Sequence, residues 1–440
     1  MESIATEEVQ LGRDFVDLLV GRGVHFIACD ILSYLDEISL HSCELVSKTW
    51  YSFISESKLW KKLHQKALLK TAPFQALILR KQFRMNASAF PNAKQLLFSY
   101  ENLKANWRLK KFVVYGRNPR FIVSKCAMDS KRIIFAGSSI QVINRWTGKS
   151  ECIIRLENIR VRSFQLYGDF IFFSSYCGRI DVWDCTTNQL IKRFQEPGKV
   201  WDMFLHAAHG LLISCFNVTP IDNNEEDLNR RRDMRQQLEL LDVSQCKVTI
   251  RRICTTPGFE TIDERTELIS HSDLHVVGLK SDANYFALIL ATSDHLKIQL
   301  RSTDTFQLVR YLDLHHCSPN ALFDYHSGLF VTVSPQDENN EQIQLWDAKT
   351  LSCKASWLVE KWTIQVMLSS LHLIMRTSSS SKNTLSAWEL SVQPPETKPK
   401  MLFEEEDKNQ NILGFDELQI VTMAEYGFSI KVREFLMQNE

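Results

Sequence analysis

Glycine is scarce in this chain: 15 residues in 440, about half of the ~7% usual in globular proteins. That scarcity speaks against glycine-rich phosphate loops, and neither a P-loop nor a Gly-x-Ser-x-Gly elbow occurs. Gly21-Arg22-Gly23 begins like a dinucleotide fingerprint, but Phe26 stands at the third glycine; it reads as a turn. A surplus of charge is missing too. Lys and Arg number 52 and Asp and Glu number 52, which removes the electrostatic argument for a nucleic-acid or anionic-membrane partner. Eleven cysteines are scattered without a Cys-x-x-Cys pair, so neither a disulfide framework nor a zinc knuckle is expected. His206-x-x-His209 and His315-His316-Cys317 lack further ligands at zinc-site spacing, so no metal and no cofactor are expected. The amino terminus carries Glu2, Glu7 and Glu8 and no apolar run, and nothing resembles a spanning segment. The expected compartment is the cytosol or the nucleus.

Apolar residues, by contrast, make up 44% of the chain, with 26 Phe among them. From residue 14 to about 107 their spacing is three or four. Ile27, Ile31 and Leu35 share one helical face. Cys43, Val46, Trp50 and Ile54 share another in a segment that Ser39 would cap, and Ser57 would cap a third segment with Leu59, Trp60 and Leu63 inside. Leu96, Tyr100, Leu103 and Trp107 repeat the pattern, with Pro73 and Pro91 at boundaries. Three short helices with so many large apolar residues hold more hydrophobic surface than they bury among themselves, which predicts a docking partner.

These residues carry a resemblance. Ile31-Leu-Ser-Tyr-Leu-Asp36, Ser39-Leu40, Glu44-Leu-Val-Ser-Lys-Thr-Trp-Tyr51 and Leu59-Trp-Lys-Lys-Leu63 are similar to the F-box of the beta-transducin-repeat-containing family of ubiquitin-ligase receptors. The chain departs from that family at Leu19-Val20, where the family has Leu-Pro, and in the short segment ahead of the F-box, so no dimerisation helices are expected.

Beyond residue 111 the period becomes two. Gly178-Arg-Ile-Asp-Val-Trp-Asp184 is the clearest repeat unit; Gln342 to Asp347 and Leu385 to Glu389 echo it. Weaker copies place Ile143-Asn144, Leu241-Asp242, Leu300-Arg301 and Arg433-Glu434 at the Trp-Asp position. Most intervals fit the ~40–45-residue period of WD blades. Two longer ones hold expected insertions, Asn223 to Gln237 and Thr255 to Ser272, and the run Glu404 to Asp407 reads as another solvated insertion. Seven copies predict seven blades, the last lacking an outer strand, which residues 111–115 would supply. Phe415 to Val421 and Asn106-Trp107 are similar to the last repeat and the linker of the same family.

The expected architecture is therefore α plus all-β: residues 1–18 an amino-terminal segment, 19–66 an F-box, 67–110 a helical linker, and 111–440 a seven-bladed WD-repeat propeller. The resemblance implies a non-catalytic substrate receptor of a Skp–cullin–F-box ubiquitin ligase. Ile31, Leu32, Leu35, Leu40, Val46, Trp50, Leu59 and Trp60 would bind the Skp adaptor, which brings the cullin. A target protein, phosphorylated or not, would bind the propeller through Arg162, Arg179, Lys199 and Arg376 near blade turns; Gly137-Ser138-Ser139 stands where the family pattern has an Arg. The alternative is a propeller scaffold or decoy without target turnover.

Overall fold

A computed structural model describes residues 15–435, apart from 71–76, 79–91, 220–244, 255–258, 270–274, 315–321, 391–398, 424–428 and shorter turns. The chain divides into Met1–Asn106 and Trp107–Glu440, a few residues before the expected boundary.

The first unit is helical: α1 Phe15–Gly21, α2 His25–Leu32, α3 Glu37–Glu44, α4 Lys48–Glu56, α5 Leu59–Lys70 and α6 Ala93–Arg108, whose last two residues belong to the second unit. Gly23, at φ +72°, turns the chain between α1 and α2. The expected segment capped by Ser39 is two helices. Asp36 caps α3, its carboxylate accepting the Ser39 amide at 2.7 Å, and Ser47 caps α4 by accepting from Trp50 at 3.2 Å. Ser57 closes α4 instead of opening α5. Asn92 caps α6 through the Lys94 amide at 2.9 Å. Pro73 and Pro91 lie outside the described residues.

The second unit is a ring of seven four-stranded antiparallel sheets. Blades one to six run over 125–155, 161–195, 199–269, 275–314, 322–359 and 362–406. Blade seven joins 411–434 to Val113–Arg117, which pairs with Ile430–Glu434 as its outer strand. The expected closing strand is thus present two residues downstream. The first strands contact one another from blade to blade around the ring, so they line the axis. Apolar cores lie between neighbouring blades. Phe164, Ile171 and Phe173 of blade two pack on Ile134 and Val142 of blade one, and Phe172 and Phe216 join blades two and three. The abundant Phe residues therefore seal blade against blade.

Turn chemistry explains the glycine shortage. At the hairpin between third and outer strands, Asn144, Asp184, Ser302 and Asp347 accept the amides two and three residues on. The next residue takes positive φ, and it is Gly148, Asn188, Phe306 and Leu351 in turn. One glycine occupies four positions that favour it. The side-chain cap holds these turns in the conformation that glycine would otherwise permit cheaply.

Three sequence expectations change. The Trp-Asp site of blade three is Arg251-Arg252, since the next amide, Ile253, donates to the Gly210 carbonyl as Cys185 does to Asp169 and Ala348 to Gly328, while Leu241-Asp242 and Asn223 to Gln237 lie outside the described residues. In blade four the position falls on Arg301-Ser302, one residue later than expected. Neither Thr255 to Ser272 nor the Glu404 run is an insertion. Glu260–Ile269 and Lys400–Glu406 are the outer strands of blades three and six. Outer strands are half solvated and therefore charge-rich, which makes them look like loops.

Candidate interaction surfaces

The helical unit is organised around a buried carboxylate. Glu44, at the end of α3, accepts the Trp60 indole N–H at 2.6 Å, pairs with Lys94 of α6, and lies 3.2 Å from His41 Nδ1. Burial alone would raise this carboxyl, but the Lys94, Trp60 and His41 contacts outweigh it and hold it below the usual range. The edge of Phe15 meets Trp50 at 5.1 Å.

This packing sorts the eight expected adaptor-binding residues. Leu32, Leu40, Trp50, Leu59 and Trp60 are interior to the unit, Leu35 is half-buried, and Ile31 and Val46 are exposed. Helical spacing locates apolar positions, but α2 is apolar on two faces. Ala28 and Leu32, one turn apart, are buried, while Ile27 and Ile31, also one turn apart, are exposed. The outward set beyond those eight comprises Phe26, Ile27, Tyr34 (88% exposed), Ile38 (63%), Leu45 (74%) and Tyr51. It spans α2, α3, α4 and the turns between them. A surface so rich in large apolar side chains marks a partner site. The double-faced apolar character of α2 was the available sequence signal.

On the propeller, antiparallel order puts the starts of first strands and the connections between second and third strands at one end of every blade. The four expected target-binding residues map to that end. Arg162 is the second residue of the first strand of blade two, and its carbonyl accepts from Lys125 Nζ of blade one. Arg179 opens the third strand of blade two, 3.1 Å from buried Asp181. Lys199 opens the first strand of blade three, where its backbone pairs with Thr219. Arg376, in the second strand of blade six, is buried and donates to Asn411 of blade seven at 2.7 Å. Arg376 therefore joins two blades, and Arg179 pairs within its own strand. Arg162 is half-exposed and has Lys125 beside it, a neighbour missed in the sequence. Burial, followed by the charge of Arg162, pushes the Lys125 ammonium below its ordinary value.

Five first strands share a further feature, a register shift near their starts: Val161/Ser163, Val200/Met203, Val276/Gly278, Thr363/Gln365 and Ile412/Gly414. Such bulges re-aim side chains and recur beside functional sites. In blade six, Ile364 is exposed between buried Thr363 and half-buried Gln365. The freed backbone groups are held by side chains. Glu341 of blade five accepts the Thr363 amide at 2.5 Å, and Gln365 takes the Ile412 amide at 2.9 Å while donating to the Ile412 carbonyl at 2.5 Å.

A hydroxyl–imidazole–carboxylate chain occurs in blade four, with Thr292 Oγ1 3.0 Å from His295 Nδ1 and His295 Nε2 2.9 Å from Asp313. It is a turn brace: Thr292 is buried and its hydroxyl also contacts the His295 carbonyl and amide, each at 3.0 Å. His209 and His315 to Cys317 lie outside the described residues. Among the described residues no group of three His, Cys, Asp or Glu is placed to hold a metal, and no helix is long and apolar enough to cross a membrane.

A family model described as F-box-like matches residues 27–66. Over 161 residues the chain is 30% identical to F-box and WD repeat domain-containing 11-A of Danio rerio, an alignment covering 32% of this chain and 28% of that protein. The chain thus matches less than a third of its curated relative's length. The β-propeller domain of Cps50 (Swd1) from Myceliophteria thermophila superposes with a TM-score of 0.50 at 8% identity, covering 73% of this chain and 99% of that one, which shows a shared fold alone. The chain thus joins an F-box-like domain to a seven-bladed propeller with WD-type repeats, the architecture of an F-box/WD-repeat protein.

Proposed function

We propose that the protein is the substrate-recognition subunit of a Skp–cullin–F-box ubiquitin ligase, acting in the cytosol or nucleus. The exposed apolar surface of the F-box-like helices carries this reading. Ile27, Ile31, Tyr34, Ile38, Leu45 and Val46 stand in water in the isolated chain, and covering such a surface is the ordinary driving force for stable association. The Skp adaptor is the partner, and it links the chain to the cullin. Leu32, Leu40, Trp50, Leu59 and Trp60 act from beneath by setting the shape of that surface. The propeller holds a target protein. The subunit makes no bond itself; it raises the effective concentration of target lysines near the charged ubiquitin carrier.

The test is capture of the Skp adaptor by the full chain and by the Ile31→Asp, Val46→Asp double variant. Wild-type capture with loss in the variant, at unchanged thermal stability, is the expected result. Absence of capture by the wild type overturns the proposal. The scaffold alternative predicts capture without turnover, so lengthening of a bound target's half-life on depletion of this protein decides between the two.

A further inference from the structure

Trp362 is the exposed member of the tryptophans whose side chains are described. Trp50, Trp60, Trp107, Trp357 and Trp388 are buried, and Trp146, Trp183 and Trp346 are half-buried. Trp362 begins the first strand of blade six, is 57% exposed, and stands two residues before the bulge residue Ile364, itself 41% exposed. Between them Thr363 is buried and its amide is fixed by Glu341 of the neighbouring blade. Gln365 clasps the backbone of Ile412 through both its amide atoms. Two large apolar side chains are therefore held in water by a backbone braced on both sides. Leaving them exposed has no folding benefit, and rigid aromatic anchors of this kind dominate binding energy at protein interfaces.

The surroundings indicate what would sit there. First strands succeed one another around the axis in the order six, seven, one, two, so Trp362 and Ile364 are followed by Leu413, then Lys125, then Arg162 at the same end of their strands. The mouth has an apolar sector on blade six and a cationic sector on blades one and two. A complementary occupant is an extended segment with an apolar side chain at one place and an anionic group further along.

We propose that Trp362 and Ile364 form the specificity-determining anchor for the target, seating a bulky apolar side chain of an extended target segment whose anionic group faces Lys125 and Arg162. This rests on the receptor reading above and deepens it: the apolar anchor, more than the anionic contact, selects the target. A carboxylate and a phosphate present the same chemistry to the cationic sector, so both are tested.

The experiment uses the full chain bound to the Skp adaptor and an array of synthetic twelve-residue peptides. One position is varied over Ala, Leu, Phe and Trp, and another over Ala, Glu and phosphoserine at several spacings. Binding is expected to rise with apolar size, and Trp362→Ala is expected to weaken the best peptides about 30-fold, the effect of a single hot-spot anchor. Ile364→Ser is expected to act in the same direction and Lys125→Ala to remove only the added effect of Glu or phosphoserine. The two anionic arms tell which source is preferred. Peptide binding that follows the anion alone and is unchanged in Trp362→Ala overturns the proposal, and so does an array with no Trp362-dependent binder. Adaptor capture by Trp362→Ala is measured in parallel. If that is retained while the array fails, the anchor is wrong and the receptor reading stands; if the wild type captures no adaptor, the receptor reading itself is wrong.

Discussion

The two units treat apolar side chains in opposite ways. The helical unit leaves Ile27, Ile31, Tyr34, Ile38 and Leu45 exposed on two short helices and the turns after them, and its interior is held by aromatic contacts and the Glu44 cluster. The propeller puts its Phe and Ile between blades and binds charge to charge from one blade to the next. Arg145 of blade one pairs with Asp416 of blade seven at 2.6 Å, and Arg132 of blade one meets Asp169 of blade two at 2.6 Å. Geometry accounts for the difference. A helix of about two turns such as α2 has two apolar faces to satisfy with few neighbours, whereas every blade in a closed ring has a neighbour on each side. Exposed apolar area in the helical unit is therefore available for binding. In the propeller it is spread over outer strands, apart from Leu109, Ile122 and the Trp362 sector.

That contrast can be broken most forcefully at Trp107. Its ring is fully buried, stacked on Phe435 at 3.7 Å and on His372 at 4.2 Å, with its N–H donating to the Glu417 carbonyl at 2.7 Å. Trp107→Ala should destabilise the propeller by about 3–5 kcal/mol, seen as a lowered thermal midpoint. Ile31→Asp, a change of similar chemical severity on the exposed helical surface, should leave that midpoint in place.

Next in size is Glu44. Glu44→Gln keeps an acceptor for Trp60 but leaves Lys94 without its carboxylate, an expected loss of about 2 kcal/mol in denaturation followed by the helical signal. Because the folded carboxyl titrates below its ordinary 4.5, its contribution is complete above that pH. It is lost as pH falls through the lowered folded value.

His372 should give the propeller an acid sensitivity that accumulates with each pH unit below 6.5. Burial, reinforced by Arg108 and opposed by Glu389, lowers its pKa from 6.5 to about 3. Above pH 6.5 the ring is neutral in both states and contributes no slope. Below it the unfolded chain takes up a proton that the folded one refuses, so stability falls by about 1.4 kcal/mol per pH unit toward the folded value. Stability curves of His372→Gln should lack this fall, and an unchanged slope would falsify the assignment.

The smallest effect belongs to Lys58, which follows the end of α4 with φ 58° and an exposed side chain. Lys58→Gly should stabilise the helical unit by about 0.5–1 kcal/mol, because glycine takes this left-handed position without steric cost. Thermal denaturation of the two proteins measures it.

Much of the propeller was legible because its signals are local and repeated. Trp183-Asp184 and Asp347 mark ends of third strands, and spacing alone put the closing strand within two residues of Val113–Arg117. Blade three was misread because its Trp-Asp place holds Arg251-Arg252 and its charged outer strand resembles a loop. The interaction surfaces were harder to read. Leu32 and Ile31 are adjacent in the chain and equally apolar, yet one is interior and the other exposed. Arg376 and Arg162 look alike in sequence, yet one is buried against Asn411 and the other lies at the mouth beside Lys125.

By itself, then, the sequence determined the order of the parts: an apolar-rich helical segment, seven repeats and a strand that closes them. Period and turn chemistry are properties of neighbouring residues and need no long-range information. Which side chains meet a partner was decided only in the tertiary structure. Burial depends on what packs against a face, and the neighbours of Leu32, Arg376 and Trp362 are set by the closure of bundle and ring, not by the residues beside them in the chain.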